Sequence, residues 1–332
     1  MKKLLLGIAA VCLAGFTFAQ DAPLWMRHSV ISPDGTTIAF TYKGDIYTVP
    51  VAGGRAMQIT TNPAYDTAPV WSPDSKRIAF ASDRMGSLDV YIVAKDGGEP
   101  RRLTTHSGSE TPLAFTDAGH VLFSAGIMPS AEAVVFPSNG QFNQVYRVSV
   151  EGGRPTMISS MPMECISINK EGAMLYQDKK GYEDYWRKHH VSPIARDIWM
   201  YTPGKEPQYR QLTTFGGEDR EPVWAPDGKT FYYLSEENGS FNIYRRTPGD
   251  AKAVQLTHYT KNPVRYLSAA TDGRLCYGFD GEIYTLLPGG EAQKVNISIV
   301  SDRNDKDIIR QIKSSGATEM AVSPDGKEIG RA

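Results

Sequence analysis

Ser32-Pro33-Asp34-Gly35-Thr36-Thr37-Ile38-Ala39-Phe40 reads as a tight turn followed by a strand, and the chain repeats it. Copies stand at Ser72-Pro73-Asp74-Ser75-Lys76-Arg77-Ile78-Ala79-Phe80, Ala225-Pro226-Asp227-Gly228-Lys229-Thr230-Phe231-Tyr232-Tyr233, Thr271-Asp272-Gly273-Arg274-Leu275-Cys276-Tyr277 and Ser323-Pro324-Asp325-Gly326-Lys327-Glu328-Ile329. Pro presets φ, Asp bonds nearby backbone and Gly accepts a positive φ, so the phrase turns the chain by its own chemistry. A period of roughly 40 to 50 residues whose unit is a small antiparallel sheet indicates a β-propeller.

Working outward from the first copy, Arg27 to Ile31 alternates as one strand and Thr37 to Tyr42 forms the next. Lys43-Gly44 turns into Asp45-Ile46-Tyr47-Thr48-Val49, and Ala52-Gly53-Gly54 turns into a last strand around Met57-Gln58-Ile59-Thr60. That order predicts a four-stranded blade. It recurs through Pro69-Val70-Trp71, Pro112-Leu113-Ala114-Phe115, Cys165-Ile166-Ser167-Ile168, Pro222-Val223-Trp224 and Tyr266-Leu267-Ser268, so six whole blades are expected. Each third strand carries a polar residue, an aliphatic residue and an aromatic: Asp45-Ile46-Tyr47, Asp89-Val90-Tyr91, Gln144-Val145-Tyr146, Asp197-Ile198-Trp199, Asn242-Ile243-Tyr244 and Glu282-Ile283-Tyr284. Alternation sends the aliphatic residue to one sheet face and its neighbours to the other, which assigns these residues to the packing between blades.

The ends of the chain read differently. Met1-Lys2-Lys3, an apolar run from Leu4 to Phe18 and small residues before Gln20 have the form of a signal peptide, with cleavage expected after Ala19 and an exported, periplasmic product. Cys12 lies inside the apolar run, which argues against a lipid anchor, and no later stretch is long enough for a membrane span. Removing Lys2 and Lys3 with the leader takes Lys+Arg from 36 to 34 against 37 acidic residues, a net charge of −3. That mixed surface carries no footprint for nucleic acid. Cys165 and Cys276 remain and, lying in strand-like phrases of different repeats, are expected as buried free thiols. Residues 23–298 should form the propeller and 299–318 a linker, with Ile308, Ile309 and Ile312 at helical spacing; 319–332 should open a further, truncated blade.

Catalytic motifs are missing. There is no Gly-x-Ser-x-Gly elbow, no Gly-rich phosphate loop and no His-Glu-x-x-His helix, so no catalytic, cofactor-binding or metal-ligating residue is assigned. The adjacent His189 and His190 would point to opposite sides of a strand, and the Asp turns lack the dense oxygen ligands of a calcium loop. Arg84, in Ser82-Asp83-Arg84, is expected to pair with a neighbouring blade. The insertions from Gly126 to Phe142 and from Asp178 to Arg196 are the expected carriers of function, since loops vary on a fixed scaffold.

The ordered set of Pro23-Leu24-Trp25-Met26-Arg27, Gly44-Asp45-Ile46-Tyr47, Tyr185-Trp186-Arg187-Lys188-His189-His190 and Ala195-Arg196-Asp197-Ile198-Trp199 resembles the amino-terminal six-bladed propeller of exported tricorn-type serine peptidases, over about residues 23 to 330. Single Ser-Pro-Asp-Gly phrases are shared with TolB-like and prolyl-oligopeptidase propellers. The resemblance implies a modular peptidase in which this propeller gates the passage of peptides, while a second propeller, a PDZ-like module and a Ser/His catalytic core follow. It therefore implies peptides or unfolded polypeptide as substrates of the full-length protein, the missing C-terminal peptidase domains as partners, no cofactor, and room for a homo-oligomer. Two other readings stay open: a self-sufficient TolB-like periplasmic protein-binding propeller, and the propeller of a dipeptidyl-peptidase-like hydrolase.

Overall fold

In the computed structural model, residues 23–126, 142–181, 191–300, 320–327 and 329–331 are described. The leader, most of the first insertion, the middle of the second with His189-His190, and the helical spacing around Ile308 lie outside them. The chain divides into two compact units, Met1–Val300 and Ser301–Ala332.

The first unit is six sheets. Blade one is β1 (Arg27–Ile31), β2 (Thr37–Tyr42), β3 (Asp45–Pro50) and β5 (Met57–Gln58), with β4 (Gly54–Arg55) as a short detour. Blade two is β6 (Asp66–Trp71), β7 (Arg77–Ser82), β8 (Asp89–Ala94) and β9 (Arg101–Arg102). Blade three is β10 (Glu110–Asp117), β11 (His120–Ala125), β12 (Gln144–Ser149) and β13 (Thr156–Ser159). Blade four is β14 (Met163–Ile168), β15 (Met174–Asp178), β16 (Ile198–Thr202) and β17 (Gln208–Gln211). Blade five is β18 (Asp219–Trp224), β19 (Phe231–Ser235), β20 (Asn242–Arg246) and β21 (Val254–Gln255); blade six is β22 (Arg265–Ala269), β23 (Leu275–Phe279), β24 (Glu282–Leu286) and β25 (Gln293–Lys294). The first strands neighbour one another in the order β1, β6, β10, β14, β18, β22 and back to β1, which closes a six-bladed ring around an axis.

The third-strand motif directs this closure. Ile46 packs with Ile78, Phe80 and Tyr91 of blade two, whereas Tyr47 packs with Cys276 and Ile283 of blade six. The same division repeats around the ring: Val90 faces Phe123 and Tyr146 of blade three, Val145 faces Met174 and Tyr176 of blade four, Ile198 faces Phe231 and Tyr244 of blade five, and Ile243 faces Leu275 and Tyr277 of blade six. Each blade thus presents its aliphatic side forward and its aromatic side backward. The core is accordingly six separate interfaces. Phe40, Phe80, Phe123 and Phe231 are fully buried in them, each contributing roughly 2–3 kcal/mol.

Polar contacts repeat as well. Thr60, Thr104, Thr213 and Thr257 each accept, at 2.9–3.0 Å, the N–H of the aliphatic residue in their own blade's third strand. The Pro-Asp turns behave as expected: Ser32 Oγ donates to Asp34 at 2.6 Å and Gly35 takes φ +73°. In the second copy Ser75 holds φ 59° where Gly would be free of strain, and its hydroxyl accepts the Asp34 N–H at 3.0 Å. That bond ties turn one to turn two.

The seam between the first and last blades has its own fastening. After β25 the chain crosses to blade one, where β26 (Ile297–Ser298) pairs parallel to β4. Gly53, at φ +86°, lies so close to Asn296 that a Cβ would meet its carbonyl oxygen at 2.5 Å. Thr271 donates through both N–H and hydroxyl to the Pro33 carbonyl, and Met26 N–H reaches Gly281 C=O at 3.1 Å.

In the second unit, β27 (Met320–Val322) and β28 (Ile329–Arg331) form an antiparallel hairpin. Its turn repeats the first one, with Ser323 Oγ on Asp325 at 2.6 Å and Gly326 at φ +68°.

Candidate functional site at the central axis

Every inner strand breaks register. The shifts fall between Arg27 and Val30, Thr67 and Val70, Pro112 and Ala114, Glu164 and Ser167, Arg220 and Val223, and Arg265 and Ser268. At five of the six, a non-glycine residue sits in the left-handed region with φ from 49° to 58°: His28, Ala68, Cys165, Glu221 and Tyr266. Each such residue costs about 1 kcal/mol or more. The bulge leaves an additional unpaired residue on the axial edge of each blade.

Between blades four and five the axial edge is charged. Arg196 reaches Glu164 at 3.2 Å and Glu218 at 3.4 Å, and Glu218 also binds Arg220 at 2.9 Å. Arg220 is almost fully buried, with its guanidinium 5.1 Å from the centre of the Phe241 ring. Gln177 donates to Glu164 at 2.9 Å and accepts the Glu221 N–H at 2.9 Å; Lys179 lies 3.4 Å from Glu164. Burial raises the pKa of Glu164, but Arg196, Gln177 and Lys179 outweigh it and hold the carboxyl below its ordinary value. Glu221 continues the network by accepting the Leu267 N–H at 2.8 Å.

The opposite side, between blades six, one and two, is aromatic and basic. His28 Nδ1 is 3.1 Å from the Thr67 hydroxyl, and its ring is 4.9 Å from that of Tyr266. Burial, with help from Arg27, pushes the His28 pKa down to about 4, so the imidazole is neutral at neutral pH. No carboxylate orients the ring among the described residues, so this pair is not a catalytic triad. No group of His, Cys, Asp and Glu among the described residues could hold a metal ion.

Both thiols are free, as expected, but only Cys276 is buried; Cys165 is exposed, because it sits in the left-handed bulge between Glu164 and Ser167, out of the strand's regular alternation. Cys276 is in the blade six/blade one interface, where burial pushes its pKa up to about 12 against the smaller opposing effect of the nearby Ser29 and Ser268 hydroxyls. Cys165 is exposed at the axial edge, and the protein packed around its backbone raises its pKa, first by desolvation and then through Glu221 and Glu164. Iodoacetamide should therefore alkylate Cys165 slowly at neutral pH and faster as pH rises past the ordinary thiol range, while Cys276 reacts only in denaturant. Peptide mapping of the alkylated protein checks this, and equal native reactivity of the two thiols would contradict it.

The structure corrects the reading of Arg84. Its partner is Asp66 in the same blade, bound at 3.0 and 3.1 Å, and its guanidinium stacks 4.5 Å from the Tyr91 ring centre. The cause is register: Asp66 is paired with Ser82, so the turn after Ser82 folds Arg84 back over its own sheet. The inner strands also begin earlier than their apolar residues suggest; β18 starts at Asp219 rather than Pro222. The charged axial network was missed for that reason, although four successive charged residues, Glu218-Asp219-Arg220-Glu221, leading into a strand were a usable signal.

A closed ring of six four-stranded blades with a strained, charged axial edge defines a β-propeller. The chain belongs to the family of the tricorn protease N-terminal beta propeller domain, whose model matches residues 23–292. Tricorn protease homolog 1 of Streptomyces coelicolor is 26% identical over 289 residues, covering 86% of this chain and 26% of that protein. Among solved structures, the crystal structure of the tricorn protease superposes with a TM-score of 0.69 at 18% identity, over 90% of this chain and 28% of that one. TolB from Acinetobacter baumannii shares the fold with a TM-score of 0.58 at 14% identity, over 81% of this chain and 62% of the other. The chain thus spans about a quarter of the length of its tricorn relatives. Among the described residues, no helix is long and apolar enough to cross a membrane.

Proposed function

We propose that this chain is the non-catalytic, substrate-gating propeller of an exported tricorn-like serine peptidase, with peptides or unfolded polypeptide as the substrates of the whole protein. The observation that carries this reading is the ring of six bulged inner strands within a tricorn-family propeller, with a charged sector facing an aromatic one. Main-chain amides and mixed side chains of a peptide find partners on such a lining without any one sequence being selected. Residues 23–298 act as the gate, 299–318 link it onward, and the hairpin from Met320 opens a second propeller, because its turn repeats the Ser32-Pro33-Asp34-Gly35 geometry. The apolar leader through Ala19 supports export.

Peptides bearing a photoreactive group test the reading. Crosslinks should concentrate on residues 27–29, 164–166 and 265–267, and a panel of unstructured peptides should remain uncleaved. Crosslinks confined to the outer strands would defeat the gate. Hydrolysis that disappears on replacing one of this chain's own serines would defeat the non-catalytic assignment.

A further inference from the structure

Propellers expose an outer edge on every blade, and this one keeps most of them short. The edge strands β5, β9, β21 and β25 have two residues each. Two blades depart from that. In blade three, β13 has four residues, but a register shift at Val145/Tyr146 bulges its pairing, and Ile158 and Ser159 are half-buried. In blade four, β17 runs Gln208-Tyr209-Arg210-Gln211 in unbroken register against β16, and all four residues are exposed. Short strands and bulges are the ordinary protections of a sheet edge, and β17 has neither.

The pattern of bonds shows what this edge offers. Leu212 N–H donates to Ile198 C=O at 2.8 Å. Alternation then points the backbone of Arg210 inward to Met200 and turns the N–H and C=O of Tyr209 and Gln211 outward. No described residue pairs with them. On the face toward blade three, the Tyr209 ring lies 5.0 Å from that of Tyr201 and its hydroxyl approaches Ser159, with the exposed Met161 nearby in sequence to that serine. The other face presents Arg210, which lies along Gly249 with no carboxylate bound to it among the described residues.

We propose that the β17 edge is a strand-addition site for an extended polypeptide segment of another protein, with an acidic residue placed across from Arg210 and apolar residues on either side. Charge decides the occupant. If a second copy paired through the outward groups of both Tyr209 and Gln211, the two-fold axis would pass through Arg210 and set one guanidinium directly against the other, a destabilising pair. A carboxylate at that position converts the repulsion into a cross-strand ion pair, while Tyr209 and Tyr201 receive an apolar neighbour. The proposal concerns the outer rim and is independent of the gating function of the axis.

Two fluorescein-labelled nine-residue probes test it, each alternating Val and Thr with either Asp or Lys at the centre. The Asp probe should bind the chain about tenfold more tightly than the Lys probe, a ratio in keeping with one favourable and one repulsive cross-strand charge pair. Hydrogen exchange should show new protection at the Tyr209 and Gln211 amides. Arg210→Glu should invert the preference, and Tyr209→Pro should abolish binding of both probes by removing an outward N–H at a position where an edge tolerates Pro. Equal binding of the two probes, an unchanged preference in Arg210→Glu, or protection at a different edge would overturn the proposal. So would a concentration-dependent dimer that Tyr209→Pro dissolves, because the occupant would then be a second copy.

Discussion

Replacing Arg220 with Leu should lower the stability of the propeller by about 3–5 kcal/mol, the usual consequence of stranding one member of a buried ion pair. Arg220 and Glu218 are both nearly inaccessible and 2.9 Å apart. Without Arg220, Glu218 keeps the longer 3.4 Å contacts with the Arg196 guanidinium and backbone N–H, and that guanidinium must also serve Glu164. The Phe241 ring loses the cation it stacks on. Adding Glu218→Gln to Arg220→Leu should recover most of the loss, because the stranded charge is then gone. Chemical denaturation of the single and double variants measures both effects. A double variant as unstable as Arg220→Leu alone would show that packing of the guanidinium, and not its charge, is what matters.

The second large effect depends on pH. At two junctions between blades, an acid at the start of a third strand lies near an acid at the start of the next inner strand, Asp89 near Glu110 and Asp197 near Asp219. Some carboxylates at such strand starts have a base: Arg84 on Asp66 at 3.0 Å, Arg102 on Asp89 at 2.8 Å and Lys180 on Asp197 at 2.5 Å. Glu110 and Asp219 form no ion pair of their own among the described residues. Burial first, and then the charge of Asp89, raises Glu110 to about 7, with the nearby Thr104 and His106 backbone only partly opposing it. Asp219 is raised to about 7 by burial, with Asp197 and Glu237 adding to it and Ser235 and Thr213 opposing.

An acid with a raised folded-state pKa binds more protons in the folded than in the unfolded chain. Its contribution is therefore fullest below its unfolded pKa and is lost as pH climbs through the folded value. Between about pH 4 and 7 each of these two groups should erode stability by a few kcal/mol at most. Glu110→Gln and Asp219→Asn should flatten that decline, so that each variant is more stable than the parent at about pH 8 and the advantage shrinks on acidification. Glu164 has the opposite sign, since its lowered pKa supports the fold at neutral pH and loses that support in acid. Taking the difference between variant and parent removes its contribution. Thermal unfolding across the pH range decides the matter, and a stability difference independent of pH would rule out titration of these groups.

Local chemistry explains which parts of this molecule were legible in its residues. The Pro-Asp turns and the third-strand motif act over a few positions, so blade number, strand order and the facing of Ile46 against Tyr47 follow from alternation alone. The closing strap was less visible: Lys294-Val295-Asn296 reads as one more strand of blade six, but only Gln293 and Lys294 pair there before Ile297 and Ser298 cross to blade one. Partnership across more than two hundred residues leaves no periodic trace. The axial network was hidden by a different cause. Charged residues at the starts of inner strands look like loop when judged by polarity, whereas Arg196 comes from the end of the second insertion and meets Glu164 and Glu218 only after three segments of two blades converge. Asp66 and Arg84 show the same limit, because their pairing depends on a register that polarity does not reveal.

The forward aliphatic and backward aromatic sides of the blades also give the ring an arrow. Two blades can join only head to tail, as links of one handedness do, and neither two forward sides nor two backward sides match. A ring built this way has no preferred starting link. Any of its junctions could serve as the place where the chain begins and ends, and the one actually used, between blades six and one, is the junction that carries an additional clasp.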